Sequence, residues 1–224
     1  MFERLKLVIG EEAINIINKK TIMIIGLGGV GGAVVESLVR SGVSNIIIVD
    51  YDVVEESNLN RQRVATISSI GMKKVDAMEK IVLDLNSKCK ILKHDLLVNM
   101  DNIKELFIDG IDYVIDAIDD VKAKKLIIRE CLDRKIEFVS SMGTGNKIDP
   151  TLLEIVDIRK TNNDPLARIF RSWVKKENIK DKIIVLSSKE VPVKSGKIVG
   201  STCFVPNSAG ILIASYVVNN IIKK

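Results

Sequence analysis

Residues 21–50 read TIMIIGLGGVGGAVVESLVRSGVSNIIIVD. A β-branched run from Thr21 to Ile25 stops at a cluster of glycines, and apolar residues at helical spacing follow from about Val30 to Arg40. A second apolar run, NIIIVD, then ends on a carboxylate. The order is strand, helix, strand. Gly26, Gly28 and Gly31 keep the G-x-G-x-x-G spacing at the first strand-to-helix turn. Glycine permits the tight turn and lets backbone N–H groups approach a phosphate at the positive helix end. Asp50, closing the second strand, stands where a carboxylate accepts hydrogen bonds from ribose hydroxyls. The glycine spacing alone is a weak signal; with its strand, helix and Asp50 it points to a nucleotide.

The alternation continues on both sides. LKLVIGEEAINIINKK has the spacing of one amphipathic helix. Downstream come a helix near Met72 to Leu85, a strand at CKILKHD, a helix near Asn102 to Phe107 and a strand in DYVIDAID. A helix near Val121 to Arg134 and the strand EFVSS follow. Unbroken apolar strands between helices predict an α/β, Rossmann-like, mostly parallel sheet covered on both faces. After GTGNKIDP the pattern changes. LLEIVDI reads as a strand, DPLARIFRSWVKKENI as a helix capped by Asp164 with Pro165 in its first turn, and KIIVLSS as a strand. KEVPVKSGKIVGS lacks periodicity and reads as a mobile loop, and Ser208 to Ile222 as a closing helix. The expected division is a core with an N-terminal helix over 1–150 and a small C-terminal α/β extension over 151–224.

Of the 224 residues, 46% are apolar and 28% charged, and the apolar runs are interrupted, which predicts a globular protein. The N-terminus lacks the features of a secretory signal, so the cytoplasm is expected. AGILIASYVV is shorter than the ~20 residues of a membrane span and reads as a buried or interface helix. Cys89, Cys131 and Cys203 are scattered and odd in number, which argues against a disulfide framework or a zinc site and makes each a small buried apolar residue. His94, the one histidine, reads as surface or packing. Residues 151–224 hold 13 Lys and Arg against 6 Asp and Glu, a balance of +7, whereas the whole chain has 34 against 29. A basic final third suits a polyanion such as RNA as well as a solvated face.

The stretch 49–63, VDYDVVEESNLNRQR, carries more cations than a dinucleotide needs. A helix N-terminus can satisfy a pyrophosphate, whereas a triphosphate and its leaving group call for fixed positive charge. Asn58, Asn60, Arg61 and Arg63, with Lys73 and Lys74 at the next helix, supply it, so ATP is favoured over NAD, the weaker alternative. DAIDD places Asp116, Asp119 and Asp120 at the end of a strand, where a carboxylate can hold Mg²⁺ or cap the following helix.

GLGGVGG, VDYDVVEESNLNRQ, GMKKVDA and DAIDD together resemble the ATP-binding core of the ubiquitin-activating-enzyme-like (HesA/MoeB/ThiF) superfamily, over most of residues 1–140. The resemblance implies that ATP adenylates a carboxylate, giving an acyl-adenylate and pyrophosphate. By matching position it implies that Gly29 joins Gly26, Gly28 and Gly31 in the phosphate loop, and that Asp50, with Asp52 beside it, holds the ribose. Asn58, Arg61 and Lys74 would reach the phosphates, and Asp119 would position Mg²⁺ with Asp120 nearby. Arg4 matches an arginine that in relatives reaches the γ-phosphate in the neighbouring subunit, which implies a homodimer. Arg4, Arg61, Lys74 and Asp119 are thus the implied catalytic set.

The final third, through SSMGTGNKIDPTLLEIVDIRKTNNDPLARIFRSWVKKENI, SSKEVP and GSTCFVPNSAG, resembles the branch of tRNA threonylcarbamoyladenosine dehydratases. That branch implies a tRNA substrate, activation of the threonylcarbamoyl carboxylate at adenosine 37, and ring closure by its own carbamoyl oxygen. A nucleophile already held beside the activated carbonyl needs no enzyme thiol. Arg159, Lys160, Arg168, Arg171, Lys175 and Lys176 are the candidate RNA contacts; Phe170 and Trp173 read as packing, with base stacking the alternative. Two other readings share the core: adenylation of the C-terminal Gly-Gly of a small sulfur-carrier protein, and a non-catalytic nucleotide-dependent RNA-binding protein. A sulfur-trafficking protein is a further candidate partner; neither DNA binding nor a stable membrane span is expected.

Overall fold

The computed structural model describes residues 1–223 apart from 194, 195 and 197. The described residues form seven strands: β1 (Thr21–Ile25), β2 (Asn45–Val49), β3 (Lys90–His94), β4 (Tyr113–Asp116), β5 (Glu137–Ser141), β6 (Leu153–Asp157) and β7 (Ile184–Ser188). All lie in one sheet in the order β3-β2-β1-β4-β5-β7-β6, and every neighbouring pair is parallel except β6 with β7. The α/β, mostly parallel fold follows from the sequence because central strands covered on both faces must be apolar at every position. In β1, Ile22 to Ile25 are all buried.

Two helical layers cover the sheet. One core joins α2 (Glu11–Asn18), α3 (Gly29–Arg40), α4 (Lys74–Leu85) and α8 (Phe204–Ile222) to one face. The other joins α5 (Ile103–Leu106), α6 (Val121–Arg134) and α7 (Pro165–Lys176) to the opposite face. The segment after residue 150 adds to the same sheet and cores: β7 pairs with β5, and α8 packs on α3. Among the described residues α8 alone is long and apolar enough to cross a membrane, yet half of it is buried inside the fold.

Two expected helices differ. The N-terminal one is split at Gly10, whose φ of +84° and ψ of 162° break the helix into α1 (Glu3–Ile9) and α2. The last helix starts at Phe204 rather than Ser208. Pro206 falls in its first turn, where its missing N–H costs no helical hydrogen bond, so the proline does not mark the boundary. Part of the expected loop at residues 189–201 lies outside the described residues; its described residues belong to no helix or strand, and Asn146 ties down Val193 and Gly200.

Candidate active site

Strand order reverses between β1 and β4, and the carboxyl ends at such a switch point are where open α/β sheets form their ligand crevice. Gly26 turns the chain out of β1 with φ +93°, and a Cβ there would lie 2.8 Å from the Ala117 carbonyl oxygen after β4. A Cβ on Gly31 would meet the Gly26 carbonyl oxygen at 1.7 Å. Only glycine lets α3 start this close to β1. Gly28 caps α3, and a Cβ added to it would meet nothing within 4 Å, which leaves the helix N-terminus open to an anion. Gly29 sits against Pro206 of α8, where a Cβ would approach to 3.0 Å.

Asp50 follows β2 into the same crevice. Its Oδ2 accepts the Leu27 N–H at 2.6 Å and its Oδ1 the Asp52 N–H at 2.8 Å. Burial pushes its carboxyl above the ordinary range, opposed by those two bonds and by the charge of Lys74. The carboxylate is fixed, and each oxygen keeps acceptor capacity for a ribose hydroxyl. Lys74, the first residue of α4, is buried and donates from Nζ to Asp52 Oδ2 at 2.7 Å.

Between them, residues 55–58 form a tight turn. Asn58 is buried and caps this turn, its Oδ1 accepting the Glu55 N–H at 3.3 Å. Arg61 donates from Nη1 to the Ser57 carbonyl oxygen at 2.7 Å and to Asn60 Oδ1 at 2.8 Å, with no carboxylate partner among the described residues. Asn60 in turn donates to the Ser201 carbonyl oxygen at 2.9 Å. Two expected phosphate cations are engaged elsewhere. Arg63 Nε donates to Asn207 Oδ1 of α8 at 3.0 Å and lies 3.5 Å from Glu36 of α3, and Lys73 pairs with Asp95. Arg63 therefore ties loop to helices.

On the β4 side the three acids divide. Asp116 is fully buried and bonded by Lys124 Nζ at 2.8 Å and Ser140 Oγ at 2.7 Å. Burial raises its pKa and lowers that of Lys124, while each partner's charge opposes the shift. Asp120 caps α6, accepting the Ala123 N–H at 2.7 Å. Asp119 is exposed and makes no hydrogen bond or ion pair among the described residues.

Tyr51, which sequence reasoning passed over, is 56% exposed beside these groups. Its hydroxyl is pushed above the ordinary range chiefly by Asp52, then by its slight burial and by the negative charges of Asp119, Asp50 and Asp120. Only its place between Asp50 and Asp52 could have flagged it. Among the described residues no three His, Cys, Asp or Glu side chains gather as metal ligands. Asp119, an exposed carboxylate without a partner among the described residues, is the group that would hold a Mg²⁺ ion, a hard cation that prefers oxygen ligands.

Other expected residues lie apart. Arg4 is exposed on α1, with no hydrogen bond or ion pair to the site. Cys89 and Cys131 are buried, but Cys203 is exposed at the start of α8, contrary to the reading of all three as buried. His94 is partly buried at the end of β3. Phe170 and Trp173 are buried and meet edge-to-face at 5.8 Å, so neither offers a face to a base. Arg159 is held by Asp157 and by the Ile179 and Asp181 carbonyls, and Arg171 by Thr161. Arg168, Lys175 and Lys176 remain exposed.

The sequence model of the ThiF family matches residues 2–223. The chain belongs to the ThiF family. This ThiF-family chain is 37% identical over 240 residues to the tRNA threonylcarbamoyladenosine dehydratase of Bacillus subtilis, covering 99% of the chain and 94% of that protein. It superposes on the crystal structure of the Escherichia coli tRNA N6-threonylcarbamoyladenosine dehydratase TcdA in complex with ATP with a TM-score of 0.94 at 32% identity, covering 99% of the chain and 93% of that one. The Drosophila virilis adenylyltransferase and sulfurtransferase MOCS3 is 33% identical over 136 residues, 61% of the ThiF-family chain but 29% of its relative.

Proposed function

We propose that the protein is an ATP-dependent tRNA threonylcarbamoyladenosine dehydratase. The observation that carries the reading is the convergence of the open α3 N-terminus, Asp50, Lys74 and the unpartnered Asp119 on one strand-end crevice. Full-length similarity to the B. subtilis and E. coli dehydratases supports the substrate. On this reading Asp50 holds the ribose, with Asp52 and Asp120 beside the nucleotide. The N–H groups around Gly28 take phosphate oxygens, and Gly26, Gly29 and Gly31 permit that approach. Arg61 and Lys74 balance the triphosphate, with Asn58 holding the turn before Arg61 in shape. Asp119 supplies the protein ligand to Mg²⁺, which would shield the phosphates.

The carboxylate attacks the α-phosphate and pyrophosphate leaves. The carbamoyl oxygen then attacks the adenylated carbonyl, a proton leaves the carbamoyl nitrogen, and AMP departs with the former carboxylate oxygen, so the product has lost one water. Proximity of the internal nucleophile makes a transfer cysteine unnecessary. Arg4 acts in the partner's site of a homodimer, which is why it stands idle within one chain. The enzyme works in the cytoplasm, and a sulfur-trafficking protein is its candidate partner.

The test is incubation of the protein with Mg²⁺, ATP and threonylcarbamoyladenosine-bearing tRNA, followed by mass spectrometry of the nucleoside. Loss of one water is expected; folded protein that leaves the mass unchanged refutes the reading. The MOCS3 match favours a second one, adenylation of a small carrier's C-terminal Gly-Gly. Pyrophosphate exchange that requires such a carrier and ignores tRNA would select it.

A further inference from the structure

Helices α6 and α7 lie side by side on one face of the sheet, and both start at the carboxyl edge. The first follows the Asp119–Asp120 turn. The second opens at Asp164, which receives Lys147 Nζ at 2.6 Å while the same Nζ donates to the Gly143 carbonyl oxygen just past β5. Between them runs an open groove of about 450 Å³, floored by Trp173 and lined by Lys125, Ile169, Ser172, Lys176 and Glu177. Lys125 Nζ stands 5.9 Å and the Arg129 guanidinium 5.5 Å from the centre of the indole ring, which steadies both cations along the wall.

Lys122, Lys125 and Arg129 share one face of α6 at positions i, i+3 and i+7, a span of about 10 Å along the axis. The carboxylate of Glu177 is taken up by Arg129. Lys122, Lys125 and Lys176 have no carboxylate partner among the described residues. A row of uncompensated lysines that begins beside the nucleotide crevice and leads away from it is complementary to a polyanion whose reacting end enters the crevice.

We infer that the α6–α7 groove is the track for the tRNA backbone, with Lys122, Lys125 and Lys176 as its phosphate contacts. The inference rests on the dehydratase reading and shifts the RNA surface toward α6, away from the tethered Arg159 and Arg171. The indole floor is covered, so the groove reads charge and shape rather than base identity.

The test compares wild type with the triple variant Lys122→Glu, Lys125→Glu, Lys176→Glu, using modified tRNA and Mg²⁺-ATP. The KM for tRNA should rise on the order of tenfold or more, and the slope of log affinity against log salt should flatten by about 2. Activity at saturating tRNA and affinity for ATP should stay within about twofold, because no nucleotide contact is altered. Wild-type turnover of tRNA with an unchanged KM and salt slope in the variant overturns the groove and leaves the dehydratase reading standing. A loss confined to ATP affinity or kcat also overturns it, as does polyglutamate competing as well as RNA of equal charge. Wild-type protein that never alters tRNA brings down both.

Discussion

Replacing Lys124 by Met removes the one cation that neutralises Asp116, and neither side chain is exposed at all. Met fills much of the volume of the lysine stem, so the cost is chiefly electrostatic. Asp116 is left charged or forced to take a proton in a site that offers it one remaining side-chain donor, Ser140. Breaking such a pair from one side costs about 3–5 kcal/mol, against a total stability on the order of 5–15 kcal/mol. For a chain of this length that is a fall in Tm of about 6–20 °C. The triple replacement Asp116→Leu, Lys124→Met, Ser140→Ala removes every side-chain member of the buried network, leaving only the Ile118 N–H without its acceptor, and should recover most of the loss, since apolar substitutes often match a buried pair. Thermal unfolding followed by circular dichroism measures both. A single variant that loses less than about 1 kcal/mol, or a triple variant less stable than the single one, refutes the reasoning.

Lys74→Met keeps the buried stem and leaves Asp52, whose side chain is 44% exposed, free to hydrate. Tm should move by only a few degrees while turnover falls on the order of 100-fold or more, checked by calorimetry and a pyrophosphate-release assay. His94 titrates below its ordinary value of 6.5 because burial disfavours the imidazolium. Its folded pKa is depressed, so stability is full above 6.5 and is lost as pH falls from there toward the folded value. The slope is at most about 1.4 kcal/mol per pH unit and is reduced by partial exposure. His94→Gln should flatten that part of a urea-unfolding pH profile, and with one histidine in the chain the difference isolates it. If Arg4 serves the partner's site, Arg4→Ala and Lys74→Met proteins should each be inactive alone. A re-equilibrated equimolar mixture should regain about a quarter of wild-type turnover, since half the dimers are mixed and each has one intact site.

The sequence made local features readable. Ile22 to Ile25 and Ile46 to Val49 are apolar at every position because both faces of those strands are covered, and Gly26 and Gly31 are demanded by backbone approaches that no other residue survives. Pairings between distant segments were opaque. Nothing in LLEIVDI and KIIVLSS says that β7 inserts between β5 and β6, and the Asp116–Lys124–Ser140 network joins three elements whose neighbourhood exists only after folding. The same limit explains the cations. Arg61 and Arg63 are two residues apart and alike in composition, yet Arg63 meets Asn207 and Glu36, residues contributed by α8 and α3.

The partners of the remaining cations say how a triphosphate would enter. Lys74 is already neutralised by Asp52, and among the described residues Arg61 is held only by a carbonyl and an amide oxygen. On the proposed reading, phosphate replaces Asp52 at Lys74 by exchange of one anion for another, and the half-exposed Asp52 returns to water at little cost. Lys74 is thus kept buried and paired before the nucleotide arrives, which avoids stranding a bare ammonium in the fold. One chain then offers the phosphates Lys74, Arg61 and the α3 N-terminus, against a ligand that carries about four negative charges at neutral pH. On that reading the deficit is what Mg²⁺ at Asp119 and, in the proposed homodimer, Arg4 from a second subunit would make up.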